Sequence, residues 1–207
     1  MTTIIISGVT CAGKSKLLDC LLKAGVDRVV TVTTRTIRPG EINGLDYQFA
    51  TADEFAEMEK QGLFLETNRF GSASYGTLRQ SIERDGLKAI VVDPNGHRAI
   101  KAALKKKGKP YLSVFLDADE GLQAGRFMAR CRQDAASSFG TGRTPEASIK
   151  RSTARLAAML GVEAHWRDVA RCAETPYDLV VPSYDRQTEL AVISEILERA
   201  KEAMKGS

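Results

Sequence analysis

The chain has 207 residues, 43% hydrophobic and 27% charged, with 30 Lys and Arg against 26 Asp and Glu and a net charge of +4. That is enough for one sizeable core. The mild basic excess falls short of a nucleic-acid footprint, and no apolar run approaches the roughly 18–20 residues that span a bilayer. Cys11, Cys20, Cys131 and Cys172 share no C-x-x-C spacing, which indicates neither a zinc site nor a disulfide framework. With no export signal visible at the N-terminus, a cytoplasmic protein is expected, monomeric or homodimeric, with no membrane or nucleic-acid partner.

Thr3 to Ser7 reads as a buried strand, and Ser15 to Lys23 as a helix with Leu17, Leu18, Leu21 and Leu22 on one face. Arg28 to Val32 is a second strand. Thr33 to Leu78 is polar, turn-rich and dense in Arg, Glu and Tyr, an interruption of the rhythm. Lys88 to Val92 is a third strand, followed by a helix from about Gly96 to Lys107. The basic run Lys105 to Lys109 falls at that helix's C-terminus, where the dipole favours cations, and is read as a solvated helix end. Tyr111 to Leu116 is a fourth strand and Glu120 to about Arg130 a helix. Arg132 to Thr144, rich in Ser, Gly and Ala, reads as a mobile excursion. Pro145 to Ala173 is one long helix or two broken at Gly161. Asp178 to Val181 is a fifth strand, and a closing amphipathic helix runs from about Arg186 to Met204. Strands alternating with helices predict an α/β fold: a five-stranded parallel sheet flanked by helices.

Gly8 to Ser15 reads GVTCAGKS and satisfies G-x-x-x-x-G-K-[ST] directly after the apolar run Ile4-Ile5-Ile6. Strand, glycine-bounded loop and helix is the context that motif requires. The glycines let backbone N–H groups cradle a polyphosphate, and the helix N-terminus adds partial positive charge. Lys14 would reach the terminal phosphates, and the Ser15 hydroxyl would help hold Mg²⁺. The loop, Gly8 with Cys11, Ala12, Gly13, Lys14, Ser15 and Lys16, is thus expected to bind a nucleoside triphosphate.

A second motif runs from Thr33 to Phe49, TTRTIRPGEINGLDYQF, followed by Asp53-Glu54-Phe55, by Phe64-Leu65-Glu66 and by Tyr75-Gly76-Thr77. Together with the phosphate loop these elements resemble the guanylate kinase family of nucleoside monophosphate kinases. The match keeps register over roughly Ile4 to Ile100; the C-terminal half matches in outline only. The resemblance implies one domain over 1–207. Its core would be 1–32, 79–130 and 146–207, with a monophosphate-binding subdomain inserted at 33–78 and a lid at 131–145. It implies transfer of the γ-phosphate of ATP to GMP or dGMP, or to a base-modified guanylate, with Mg²⁺.

An acceptor bearing its own dianionic phosphate must be held close to a tetra-anionic nucleotide, which demands dense fixed cations. Arg35 and Arg38 lie three apart around a Pro-Gly turn, so both guanidinium groups can converge on one phosphate. Tyr47 and Tyr75 can add phenolic hydrogen bonds without adding charge. By resemblance these four are the acceptor-phosphate ligands. Glu66 follows an apolar Leu-Phe-Leu run, an odd place for a carboxylate unless it serves a ligand. It can accept from the N1–H and N2–H₂ edge of guanine, and adenine has no such donor pair. The resemblance assigns it that role and matches Thr31 and Thr77 to hydroxyls that contact the base. Asp93 matches an acidic position beside the base; a contact to the guanine amino group, a water on Mg²⁺ and a helix N-cap all remain open. Arg126 and Arg130 share a helix face at i, i+4 and resemble lid-entry arginines, one near adenine and one on the transferring phosphate. Arg151 and Arg155 both qualify as a third lid arginine, Arg151 being favoured by its spacing from Glu146. Lys14, Arg38, Arg130 and Arg151 form the expected catalytic set.

Departures from the family are a longer lid and Ser74 where an aromatic is usual before Tyr75. A sugar-phosphate kinase of the same fold is a second reading, which the base-reading set of Thr31, Glu66 and Thr77 opposes. A non-catalytic binding module is a third, opposed by the intact Gly13-Lys14-Ser15.

Overall fold

The computed structural model describes residues 2–38, 40–70, 72–140, 152–153, 156–157, 162–171, 176–182 and 187–205, with side chains at all of these except 70, 134–140, 162 and 164. Strand β1 (Thr2–Gly8) is buried along its whole length, which explains its unbroken Ile4-Ile5-Ile6: a central parallel strand has no polar face. It pairs in parallel with β7 (Leu87–Val91) and β8 (Tyr111–Leu116). β2 (Asp27–Arg28) and β9 (Leu179–Val181) complete a five-stranded sheet of order β2-β7-β1-β8-β9. All its pairings are parallel, as the alternating pattern predicts.

Alternate residues of β1 face two cores. Ile4 and Ile6 meet Leu17, Leu18 and Leu21 of α1 (Lys14–Lys23) and Ile193, Ile196 and Ala200 of α7 (Glu189–Lys205). Ile5 meets Ile82 of α3 (Arg79–Glu83) and Ile100 and Leu104 of α4 (Pro94–Lys106). The lysine run lies at the end of α4, as expected, with Lys107 as its C-cap ion-paired to Glu83. Among the described residues no helix is long and apolar enough to cross a membrane.

The strand expected over 28–32 is in fact divided between two sheets. Val29 N–H still reaches Ala89 O in the core at 2.9 Å, but Thr31 O accepts from Gln48 N–H at 2.9 Å. The chain thus changes partners within a continuous β-branched run, which a β-period cannot register. β3 (Val32–Thr33) belongs to a second sheet of order β4-β3-β6-β5, with β4 at Gln48–Phe49, β5 at Phe64–Phe70 and β6 at Ala73–Leu78. Its small core stacks Phe55 of α2 (Ala52–Lys60) on Phe64 with ring centroids 4.6 Å apart, beside Val32 and Leu78. A full capping box starts α2: Thr51 accepts from Glu54 N–H, and the Glu54 carboxylate accepts from Thr51 N–H.

Helix α5 runs over Glu120–Gly140, ten residues past the expected end at Arg130. The sequence read there as a loop, Arg132 to Phe139, contains no Gly or Pro, and its alanines support helix. The expected break at Gly161 lies outside the described residues, as do 141–145 of the expected lid. Helix α6 (Val162–Arg171) begins just beyond.

Gly8 closes β1 at φ 144°, and a Cβ there would lie 2.3 Å from Leu116 O on β8. Gly8→Ala is therefore expected to destabilise the protein by about 2–4 kcal/mol. A urea unfolding midpoint equal to wild type would contradict that.

Candidate active site

The phosphate loop leaves the C-terminal end of the central strand, where open parallel sheets build their ligand crevices. Gly13 caps α1 at φ 102°, and Cys11 is the one non-glycine residue with positive φ among those described, at 61°. Lys14 Nζ is folded across the loop and donates to Gly8 O and Val9 O, each at 2.8 Å. Burial lowers its pKa to about 8; Arg130 presses in the same direction, while Glu163, Cys11 and Asp93 oppose it. Arg126 Nη1 donates to Cys11 O and Ala12 O at 3.2 Å, so α5 grips the loop from outside. Arg130, Ser15 and Lys16 line the same wide cleft, where Arg38 faces Lys14 and the loop from the subdomain. Lys16 also pairs with Glu189 of α7.

On the subdomain side Arg35 gives its fork to Glu41, Nη1 to Oε2 at 2.9 Å and Nη2 to Oε1 at 2.7 Å. Glu41 also accepts from Arg38 N–H at 2.8 Å, and together the two arginines hold its carboxyl below the usual range despite burial. The Arg35 guanidinium lies 5.1 Å from the Tyr47 ring centroid, and Tyr47 meets Tyr75 edge-on at 6.2 Å. The turn after β3 thus brings two arginines and Tyr47 together with Tyr75 of β6, with a carboxylate as internal counter-ion.

Between the two sheets lies a cavity of about 200 Å³ whose walls include Lys14, Thr31, Tyr47, Glu66, Tyr75 and Asp93. Glu66 sits opposite Thr77 in the β5–β6 register, beside an irregularity between Phe64 and Glu66. Thr77 Oγ1, fully buried, donates to Glu66 Oε1 at 2.6 Å. Burial raises the Glu66 carboxyl, Asp93 adds to that, and the Thr77 bond opposes it. Thr77 therefore aims Glu66 while leaving Oε2 to the cavity's occupant. Asp93 is the N-cap of α4, its Oδ1 accepting from Gly96 N–H at 2.8 Å, and its Oδ2 accepts from Asn68. The N-cap reading and the cavity position thus hold together, through different oxygens.

Sequence reasoning missed a buried polar chain behind the loop. Thr10 N–H donates to Glu163 Oε1 at 2.9 Å, and Gln123 Nε2 donates to Glu163 Oε2 at 2.8 Å and to Thr10 O at 2.9 Å. Arg167 donates to Gln123 Oε1 and lies 3.4 Å from Asp117. Glu163 is 1% exposed, so its charge is tolerated only because each oxygen is bonded. Glu163 and Trp166 of α6 and Asn68 of β5 also border the cavity. None carries a motif; the only signal was a buried-type carboxylate on an amphipathic helix. Arg151 and Arg155 lie outside the described residues. Among the described residues no group of three or more His, Cys, Asp or Glu side chains could hold a metal. A cation at Ser15 would draw on nucleotide oxygens and water besides that hydroxyl, the usual habit of Mg²⁺.

The guanylate kinase family model matches residues 1–200. A guanylate kinase of Trichormus variabilis is 34% identical over 119 residues, 55% of this chain and 58% of that protein. One from Bifidobacterium longum is 36% identical over 121 residues, 55% of this chain and 61% of the relative. One from Buchnera aphidicola is 39% identical over 116 residues, 52% of this chain and 56% of the relative. The chain spans little more than half the length of these relatives. Over the fold, a guanylate kinase structure from Anaplasma phagocytophilum aligns with TM-score 0.61 at 20% identity, covering 96% of this chain and 85% of that one.

Proposed function

Because the chain belongs to the guanylate kinase family, we propose that it transfers the γ-phosphate of ATP to GMP or dGMP. The observation that carries this reading is one cavity bordered at once by the phosphate loop (Gly8, Lys14) and by Glu66 with Thr31 and Tyr75, Thr77 holding Glu66 from behind rather than lining the cavity. A donor phosphate on the loop and a guanine on Glu66 would put the acceptor phosphate between them. There Arg38, Arg35, Tyr47 and Tyr75 would neutralise and orient it.

The acceptor phosphate oxygen is already a nucleophile at neutral pH, so the protein's work is alignment, charge neutralisation and exclusion of water. Lys14 would leave the Gly8 and Val9 carbonyls for the donor phosphates. Arg126 and Arg130 on α5 would face the donor, and Arg151 would complete the lid. Mg²⁺ would be held by the Ser15 hydroxyl and nucleotide oxygens, and supplies charge neutralisation on the donor phosphates. A sugar-phosphate acceptor would offer the half-buried Glu66 carboxylate hydroxyls but no guanine edge, and a binding module would have no use for the Lys14 arrangement. Incubation with ATP, GMP and Mg²⁺ should yield ADP and GDP in equal amounts on anion-exchange chromatography. ADP without GDP would reject transfer to GMP.

A pH dependence follows from Lys14. Its ammonium attracts the polyphosphate only when protonated, so kcat/KM for ATP should be level below about pH 7.5 and fall as pH rises through about 8. Bound phosphate holds the proton, so the kcat limb should lie at higher pH. A kcat/KM flat to about pH 9.5 would contradict this.

A further inference from the structure

We propose that helix α6 belongs to the active site, with Trp166 as a specificity-determining residue that walls the acceptor pocket on the side of the sugar. This rests on the guanylate phosphotransfer reading and extends it to residues outside the motifs.

Two placements define the position. Glu163 and Trp166 are three apart on α6 and so share a face. Glu163 is fixed to the phosphate loop through Thr10 N–H and to α5 through Gln123. Trp166, one turn on, packs against the main core and borders the same cavity as Glu66, Tyr75 and Asp93. The base end of that cavity is marked by Glu66, and the phosphate end by Lys14 and the loop. Trp166, on the helix that Glu163 clamps to Thr10, borders this same cavity and is thereby placed to flank the stretch between the two ends, which a nucleotide's sugar must occupy. Indole is rigid and apolar, suited to a ribose face and unforgiving of added bulk. The buried Glu163–Gln123–Arg167 chain keeps α6 from yielding.

The chain has a single tryptophan, so its emission reports this position alone. Titrating the wild-type protein with GMP, without ATP, should shift the Trp166 emission, saturating near the acceptor KM. Trp166→Ala should raise the GMP KM about tenfold with the ATP KM within about twofold, and Trp166→Phe should recover most of the loss. Trp166→Ala should also gain about tenfold for 2′-O-methyl-GMP relative to GMP. The wild-type titration and a Trp166→Leu variant, expected to raise the GMP KM as Trp166→Ala does, decide the matter even if the Ala variant fails to fold. Turnover of GMP with unchanged emission, or with a GMP KM in Trp166→Ala or Trp166→Leu equal to wild type and unaltered selectivity for the methylated sugar, overturns the role of α6 and leaves the phosphotransfer reading standing. Absence of GMP turnover in the wild type overturns both.

Discussion

Lys14→Ala is expected to lower kcat by about 10²–10⁴ while leaving the fold intact, corresponding to roughly 3–5 kcal/mol of barrier. Lys14 is the cation at the junction of the donor loop and the acceptor cavity, and it lines both hollows of the site. Its bonds go to Gly8 O and Val9 O, in a loop whose shape is set independently by Gly8, Gly13 and the Thr10 clamp. Removing the amine thus takes charge from the transferring phosphate without unseating the loop. Circular dichroism and urea unfolding should be close to wild type. A rate within about threefold of wild type would remove Lys14 from the machinery.

Glu66→Gln is expected to collapse the preference for GMP over AMP more than it lowers stability. In the wild type, AMP would confront the half-buried carboxylate with a lone pair at N1, a mismatch worth several kcal/mol or about 10²–10⁴ in kcat/KM. IMP keeps N1–H and loses the amino group, so it should fall between, weaker than GMP by roughly 1–3 kcal/mol. The neutral amide can both donate and accept, so the variant should treat the bases more alike. Thr77 remains able to donate to the amide oxygen, which keeps the side chain aimed. An unchanged GMP-to-AMP ratio in Glu66→Gln would show that the base is read elsewhere.

Short-range signals carried most of what could be foreseen. The phosphate loop is contiguous, and its glycines are demanded by local geometry, Gly8 by the carbonyl of Leu116 and Gly13 by its left-handed cap. The run from Thr33 to Phe49 places Arg35, Arg38 and Tyr47 within one turn system, so its convergence could be argued from spacing. Where the outcome turned on tertiary partners, spacing failed. Residues 28–32 have one β pattern but serve two sheets, since pairing partners leave no trace in the period of a single strand. Residues 132–139 carry paired serines in a stretch that runs on into Gly140, yet they continue α5, because nothing in them breaks a helix already under way. Glu163 and Gln123 meet Thr10 across 153 and 113 residues of chain, a separation no local pattern spans. Trp166 lies in the Pro145–Ala173 stretch, which reads only as helix, and only the packing of α6 beside the loop gives it a place at the cavity.

The most direct test of the account is the kcat/KM of the wild-type protein for GMP, dGMP and AMP at saturating ATP and Mg²⁺, read by coupled ADP release. The placing of Lys14 and of Glu66, aimed by Thr77, on one cavity predicts efficient turnover of a guanylate, with AMP poorer by about 10²–10⁴. Equal values for GMP and AMP would contradict it.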